Sequence, residues 1–212
     1  SFYEAITHAH NRILYGHPVT DFSHVQAVTI GGAAAPVPLL EKYLRKGIVL
    51  QQGWGMTETA AMTTVLSKAM AQVKIGSCGK PVLHTRLRVV DEAGNDVPAG
   101  ATGELLVKGP HVMPGYWNRP EETQQSFRDG WLRTGDAVRI DEDGYLYVVD
   151  RLKDMYISGG ENVYPLEVEN VLHGMPQVVE AAVIGVADPK WGEVGRAFIV
   201  LRTPGVLSED EV

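Results

Sequence analysis

Gln52-Gly53-Trp54-Gly55-Met56-Thr57-Glu58-Thr59 follows the apolar run Gly47-Ile48-Val49-Leu50, and this order predicts a strand that enters a glycine loop and then opens a helix. The glycines let the backbone approach a ligand closely, and free N–H groups at a helix start face an anion. Thr57 adds a hydroxyl, and Glu58 adds a carboxylate of the kind that binds Mg²⁺. Trp54 offers a face on which a base stacks. Gly-Trp-Gly between a strand and a helix also reads as plain turn chemistry, so the residues around it decide.

Upstream, residues 25–30 form an apolar-leaning run ending in Gly31-Gly32, which suits a buried parallel strand feeding a loop. Residues 36–46 read as a helix and residues 48–50 as the next strand. Together they make a β-α-β unit, with residues 54–58 at the carboxyl end of its sheet, where open α/β sheets bind ligands. From Leu83 the period changes to strand, turn, strand, with hairpin turns at Glu92-Ala93-Gly94-Asn95 and Glu142-Asp143-Gly144. After Arg151 come a helix at residues 165–173 and two strand-like runs, 178–187 and 196–202. The expected fold is therefore α/β over residues 1–82, an antiparallel barrel-like subdomain over 83–150, and a hinge with the start of a small α+β C-terminal domain over 151–212.

Three later segments bear on chemistry. Trp131-Leu132-Arg133-Thr134-Gly135-Asp136 leads an apolar approach into a turn that presents one carboxylate, suited to both hydroxyls of a ribose. Asp150-Arg151-Leu152-Lys153-Asp154 carries four charges directly after a strand-like run, and reads as either a solvated turn or a hinge. Ser158-Gly159-Gly160-Glu161-Asn162-Val163-Tyr164-Pro165 is a glycine pair leading through a proline into an acidic first helical turn.

In this order and spacing the segments resemble the AMP-forming acyl-adenylate superfamily: acyl-CoA synthetases, firefly luciferase and the adenylation domains of peptide synthetases. The resemblance runs from Gly31-Gly32-Ala33 to Trp191-Gly192-Glu193, and residues 151–165 look most like fatty-acid and aryl-acid CoA ligases. It implies the acetyl-CoA synthetase-like fold, with ATP/AMP, Mg²⁺ and coenzyme A as cofactors and a carboxylic acid, expected to be a fatty acid, as substrate. It also implies roles. Gly31, Gly32 and Ala33 would line the junction of acyl pocket and adenine; Gly53, Trp54, Gly55 and Met56 would face the nucleotide. Thr57 would contact phosphate and Glu58 would hold the metal. Asp136 and Arg151 would bind the ribose, and Lys153 would be the pivot of the C-terminal domain. Gly159 and Gly160 would flank the pantetheine tunnel, and Trp191 would pack on the CoA adenine or simply lid a core.

Composition bounds the rest. The chain has 212 residues, 44% of them hydrophobic, enough to bury a core, yet members of this superfamily are more than twice as long. Residues 1–6 lack an initiator methionine and read as an amphipathic helix entered partway; residues 207–212 stop where another helix begins. The chain is thus expected to be cut at both ends, to lack the family's phosphate loop and its C-terminal lysine, and to have little ligase activity alone. Lys and Arg total 19 against 26 Asp and Glu, and the net charge of −7 argues against a basic nucleic-acid-binding face. No basic leader precedes an apolar core, and no run of about 18 apolar residues occurs, so a cytoplasmic protein without a transmembrane segment is the expectation. Peripheral membrane contact and oligomeric state stay open.

The single cysteine, Cys78, is expected to be a small buried residue and not a nucleophile. His24, His84, His111 and His173 lack metal-ligand spacing. Residues 110–120 are aromatic and suited to contact a ligand or a nucleic-acid base, but with a net charge of −7 they are expected to pack as a loop under the barrel, with Lys108 and Arg119 solvated. A non-catalytic nucleotide-binding module and a peptide-synthetase adenylation domain are the alternative readings.

Overall fold

The computed structural model describes residues 13–14, 17–18, 25–33, 35–203 and 205. The helices expected at residues 1–6 and from 207 onward, together with His24 and Ala34, lie outside the described residues. A two-stranded antiparallel pair comes first, β1 (Ile13–Leu14) with β2 (His17–Pro18).

β3 (Val28–Ile30), α1 (Val37–Leu44) and β4 (Leu50–Trp54) form the expected β-α-β unit, with β3 and β4 parallel and Val28 opposite Leu50. Pro38 fits the first helical turn, where an N–H has no partner to lose. Leu40 and Tyr43, three residues apart, form the buried stripe of α1. The second strand departs from expectation. It does not end at Leu50 but begins there, so Gln51, Gln52, Gly53 and Trp54 are strand residues and not loop. β5 (Thr64–Val65) and β6 (Lys80–Pro81) complete a mixed sheet in the order β3-β4-β5-β6.

β7 (Arg86–Val90), β8 (Gly103–Lys108), the short helix α2 (Pro120–Ser126), β9 (Phe127–Arg128), β10 (Trp131–Ile140) and β11 (Leu146–Arg151) follow. Their antiparallel sheet has the order β11-β10-β8-β7, with β9 on β10. It is an open sheet and not a closed barrel. Its β11 edge is bridged at Gly79–Leu146 to the first sheet, where the Cys78 N–H and the Ser77 hydroxyl both donate to the Leu146 carbonyl. Leu105, Val107, Val138 and Leu146 are sealed from solvent and join Trp54 and Cys78 in one core shared by the two sheets. Each such side chain contributes about 1.5–3 kcal/mol by leaving water. Burial raises the Cys78 thiol to about 11, which suits an inert packing residue.

β12 (Tyr156–Ser158), β13 (Glu161–Val163), α3 (Pro165–His173), β14 (Val178–Asp188) and β15 (Gly192–Leu201) form the last unit, with sheet order β13-β12-β15-β14. The helix matches expectation; the final strand starts earlier, because β14 and β15 are one long hairpin turning at residues 189–191. Tyr156, Leu172 and Val183 centre a second, separate core. Among the described residues no helix is long and apolar enough to cross a membrane.

Candidate active site

The stretch 52–59 builds the floor of the main cleft in a form that differs from its expected shape. No α-helix opens there. After β4 the chain makes a single 3₁₀ turn at Thr57–Thr59 and reverses through Ala60 and Ala61, both at positive φ (49° and 75°). The cause is local: the Thr59 hydroxyl accepts from the Met56 N–H and donates to the Met56 carbonyl, both at 3.1 Å, while the buried Thr63 hydroxyl donates to Thr59. Side-chain bonds of this kind compete with a helical ladder. Gly55 is required by close approach, since a Cβ there would collide with the Ala61 carbonyl. Thr57 is left exposed at the rim.

The cleft encloses about 1170 Å³. Gly31 and Gly32 at the end of β3, residues 53–58, and Arg151 with Lys153 after β11 all line it. Ala33 is exposed beside the two glycines and does not line it. Asp136 stands just behind the wall. A bulge in β10 puts it there: Arg133 pairs with Leu106 and Ala137 with Glu104, so three residues of β10 lie opposite Leu105 alone. The Asp136 carboxylate accepts from the Trp54 indole N–H at 2.8 Å, and its other oxygen lies 3.6 Å from Arg151 Nε. Burial pushes this carboxyl up from its ordinary value, against the pull of the Trp54 N–H and the Arg151 charge. Trp54 itself is 8% exposed and belongs to the core, with its polar edge committed to Asp136.

Several cleft residues were not singled out by the sequence. Glu104 accepts two bonds from Arg133 on one oxygen and faces the Gly135 N–H with the other. Ala60, Ala61, Met62, Thr134 and Leu152 also line the wall. Tyr116 is the most consequential. It comes from the loop 109–119, whose Met113 N–H donates to the Glu58 carbonyl at 2.8 Å, while the Tyr116 hydroxyl donates to Glu58 Oε1 at 2.7 Å. The loop therefore packs on the Thr57–Thr59 turn, though Trp117 within it is 90% exposed. The Gly115-Tyr116-Trp117 cluster was the available signal for this contact. Lys108 also differs from expectation, lying half-buried over the Trp131 ring; Arg119 is exposed, as expected.

Gly159, Gly160 and Trp191 are not brought to the cleft. Ser158 pairs with Glu161, so the two glycines, at φ 60° and 91°, are the tight hairpin turn that only positive φ permits. The Gly159 N–H donates to the Trp191 carbonyl at 2.9 Å, and a Cβ on Gly159 would meet the indole at 2.9 Å.

The residues fit a metal nucleotide. Among the described residues no group of three or more His, Cys, Asp or Glu side chains could cage an ion. Glu58 and Glu104 both line the cleft; the two oxygens of Glu104 are bonded to Arg133 and the Gly135 N–H, whereas Glu58 is bonded through Oε1 to Tyr116. Mg²⁺ is commonly held by one or two carboxylates together with phosphate oxygens and water. Arg151 and Lys153 supply the positive charge a polyphosphate needs.

The profile of the AMP-binding enzyme family matches residues 1–117, and that of the AMP-binding enzyme C-terminal domain matches residues 167–212. The chain belongs to the AMP-binding enzyme family. Among relatives of this AMP-binding enzyme, feruloyl-CoA synthase of Amycolatopsis sp is 50% identical over 192 residues, covering 91% of this chain and 39% of the relative. The 2-succinylbenzoate–CoA ligase of Bacillus mycoides (strain KBAB4) is 46% identical over 190 residues, 90% of this chain and 39% of the relative. The chain thus spans about two fifths of the length of these relatives. The structure of o-succinylbenzoate CoA synthetase from Bacillus subtilis with its acyl-adenylate intermediate superimposes with a TM-score of 0.84 at 40% identity, covering 99% of this chain and 41% of that one. The chain therefore shares the fold of this adenylate-forming synthetase.

Proposed function

We propose that the chain carries the nucleotide cleft and hinge of an AMP-forming acid–thiol ligase. In this reaction a carboxylate oxygen attacks the α-phosphorus of ATP, the bond to the β-phosphate breaks, and pyrophosphate leaves. The thiol of coenzyme A then attacks the acyl carbon and AMP departs. The observation that carries this reading is the convergence on one cleft of Gly31-Gly32, the 53–58 segment, Arg151 and Lys153, with Asp136 held immediately behind by Trp54.

Each group has a part in it. Asp136 and Arg151 hold the ribose, Thr57 meets phosphate, and Glu58 offers one oxygen to Mg²⁺, which when bound offsets phosphate charge. Positioning and charge complementarity supply most of the catalysis in such a displacement. Lys153 is the pivot between residues 1–150 and the unit that follows. The Gly159-Gly160 turn with Trp191 is the face that unit presents to coenzyme A once it rotates. The B. subtilis synthetase has been solved with ATP and magnesium ion, which supports the same pair of ligands here.

The acid is best read as an aryl carboxylate. A fatty acid was the expectation, but the relatives are named for ferulate and succinylbenzoate. The test is pyrophosphate release with ATP and Mg²⁺ across aryl, fatty and amino acids, with and without coenzyme A, on this chain and on any longer product of its gene. Aryl-acid-dependent release by the longer product, with thioester formed only when coenzyme A is added and little release by this chain alone, is the expected result. ATP binding without release for any acid would overturn it in favour of a non-catalytic nucleotide-binding module.

A further inference from the structure

We infer that Tyr116 is a positioning residue that holds Glu58 as a one-oxygen metal ligand and thereby makes the cleft prefer Mg²⁺ over Ca²⁺. This rests on the reading of Glu58 as the carboxylate that meets the metal nucleotide.

Glu58 is gripped twice by one loop, through its carbonyl by the Met113 N–H and through Oε1 by the Tyr116 hydroxyl. Oε2 has no hydrogen-bond partner among the described residues. The grip is itself anchored. The Tyr116 N–H donates to Thr123 Oγ1 at 2.9 Å, and that hydroxyl donates to the Arg119 carbonyl at 2.6 Å, tying the loop to α2. Tyr116 is therefore not a swinging surface phenol, although it is 39% exposed.

The consequence follows from the difference between the two ions. Ca²⁺ accepts six to eight oxygens in loose geometry and often takes both oxygens of a carboxylate, whereas Mg²⁺ demands an octahedron and takes one. A carboxylate with one oxygen already bonded to a fixed phenol keeps its other oxygen the freer one, so one-oxygen coordination is favoured. That suits Mg²⁺ and weakens the two-oxygen mode that Ca²⁺ often takes. Tyr116 touches neither nucleotide nor metal in this scheme; it acts through Glu58.

The test is nucleotide affinity, with no turnover required. ATP binding is titrated calorimetrically with Mg²⁺, with Ca²⁺ and without divalent ion, for the unaltered chain, Tyr116→Phe and Glu58→Gln. Removing a partner that orients a ligand typically costs roughly 10–100-fold in metal affinity. Tyr116→Phe is expected to weaken Mg²⁺-dependent ATP binding within that range, to leave Ca²⁺-dependent binding unchanged or stronger, and to leave metal-free binding alone. An unchanged Mg²⁺/Ca²⁺ ratio, or an equal loss under all three conditions, would overturn the role of Tyr116. Failure of the site reading has a different signature: metal dependence surviving in Glu58→Gln, or no ATP binding by the unaltered chain. Thr123→Val, which frees the Tyr116 backbone and keeps its phenol, is expected to shift the ratio in the same direction by a smaller factor.

Discussion

Asp136 lies within β10 and Asp141 directly after its end, and the protein bends their acidity in opposite directions. Burial drives both upward. At Asp136 the Trp54 N–H and the Arg151 charge do not make up the loss of water, so the carboxyl stays above its ordinary value. At Asp141 the Lys74 ammonium at 2.8 Å and the Tyr145 N–H overcome burial and hold the carboxyl below it. A carboxyl raised by folding favours the fold below the unfolded value of about 3.9, and that contribution is lost as pH climbs through the raised value. One that folding depresses contributes above the unfolded value, and its contribution is lost as pH falls through the lowered value. Asp136→Asn is therefore expected to raise the melting temperature at neutral pH, with a gain that fades as pH falls through the raised value and is gone by about pH 3.9. Asp141→Asn is expected to lower it, with a loss that fades only below about pH 3.9, as pH falls through the lowered value. Melts of both variants on either side of that unfolded value check the signs. Asp136→Asn should also weaken AMP binding by roughly 10–100-fold, the worth of hydrogen bonds to a charged group. A site residue that costs stability when ionised is the usual trade between fold and function.

At the scale of elements, the β-α-β unit, the hairpin turns at 92–95 and 142–144, and α3 were legible, because apolar runs and turn residues are local signals. The 3₁₀ turn was not. Its start looks helical, but Gly55 presses against the Ala61 carbonyl and the Thr59 hydroxyl donates to the Met56 carbonyl, which a helical ladder would use. The bulge that carries Asp136 leaves no periodic trace, since it depends on pairing with β8. Tyr116 escaped for the plainest reason: its partner is 58 residues away in the chain. The reversal itself stores strain, with Ala60 in the left-handed region at φ 49°, ψ 50°. A side chain there costs about 1 kcal/mol that glycine does not. Ala60→Gly is expected to stabilise the chain by up to about 1 kcal/mol, less whatever the freer unfolded chain takes back. Gly55→Ala is expected to displace the turn and abolish nucleotide binding. Urea unfolding of the first and calorimetry on the second check the pair.

Among the described residues two cores share no residue, one around Trp54 and Leu146 and one around Tyr156 and Leu172. The second is thinner. Ala181 and Ile199 face inward with Val183, while Ile184, Phe198 and Val200 on the other face of the same hairpin are about half-exposed. One tie to the rest runs through Asp150, which pairs across from Ala137 in the first body and accepts the Leu166 N–H of α3 at 2.8 Å in the second; α3 also meets α1. That carboxylate does from a distance what a capping residue does locally, satisfying a free donor in the first turn of a helix. Asp150→Ala is expected to cost about 1 kcal/mol, the usual worth of a cap. The cost should also be confined. Hydrogen exchange should speed up for the amides of α3, β12, β14 and β15, while those of β8 and β10 keep their protection, because local opening follows cooperative units and the first core loses no contact. Asp150→Asn, which keeps an acceptor oxygen, should restore most of the protection. Equal acceleration in both bodies would mean that they unfold as one unit, and Lys153 would then not mark a hinge.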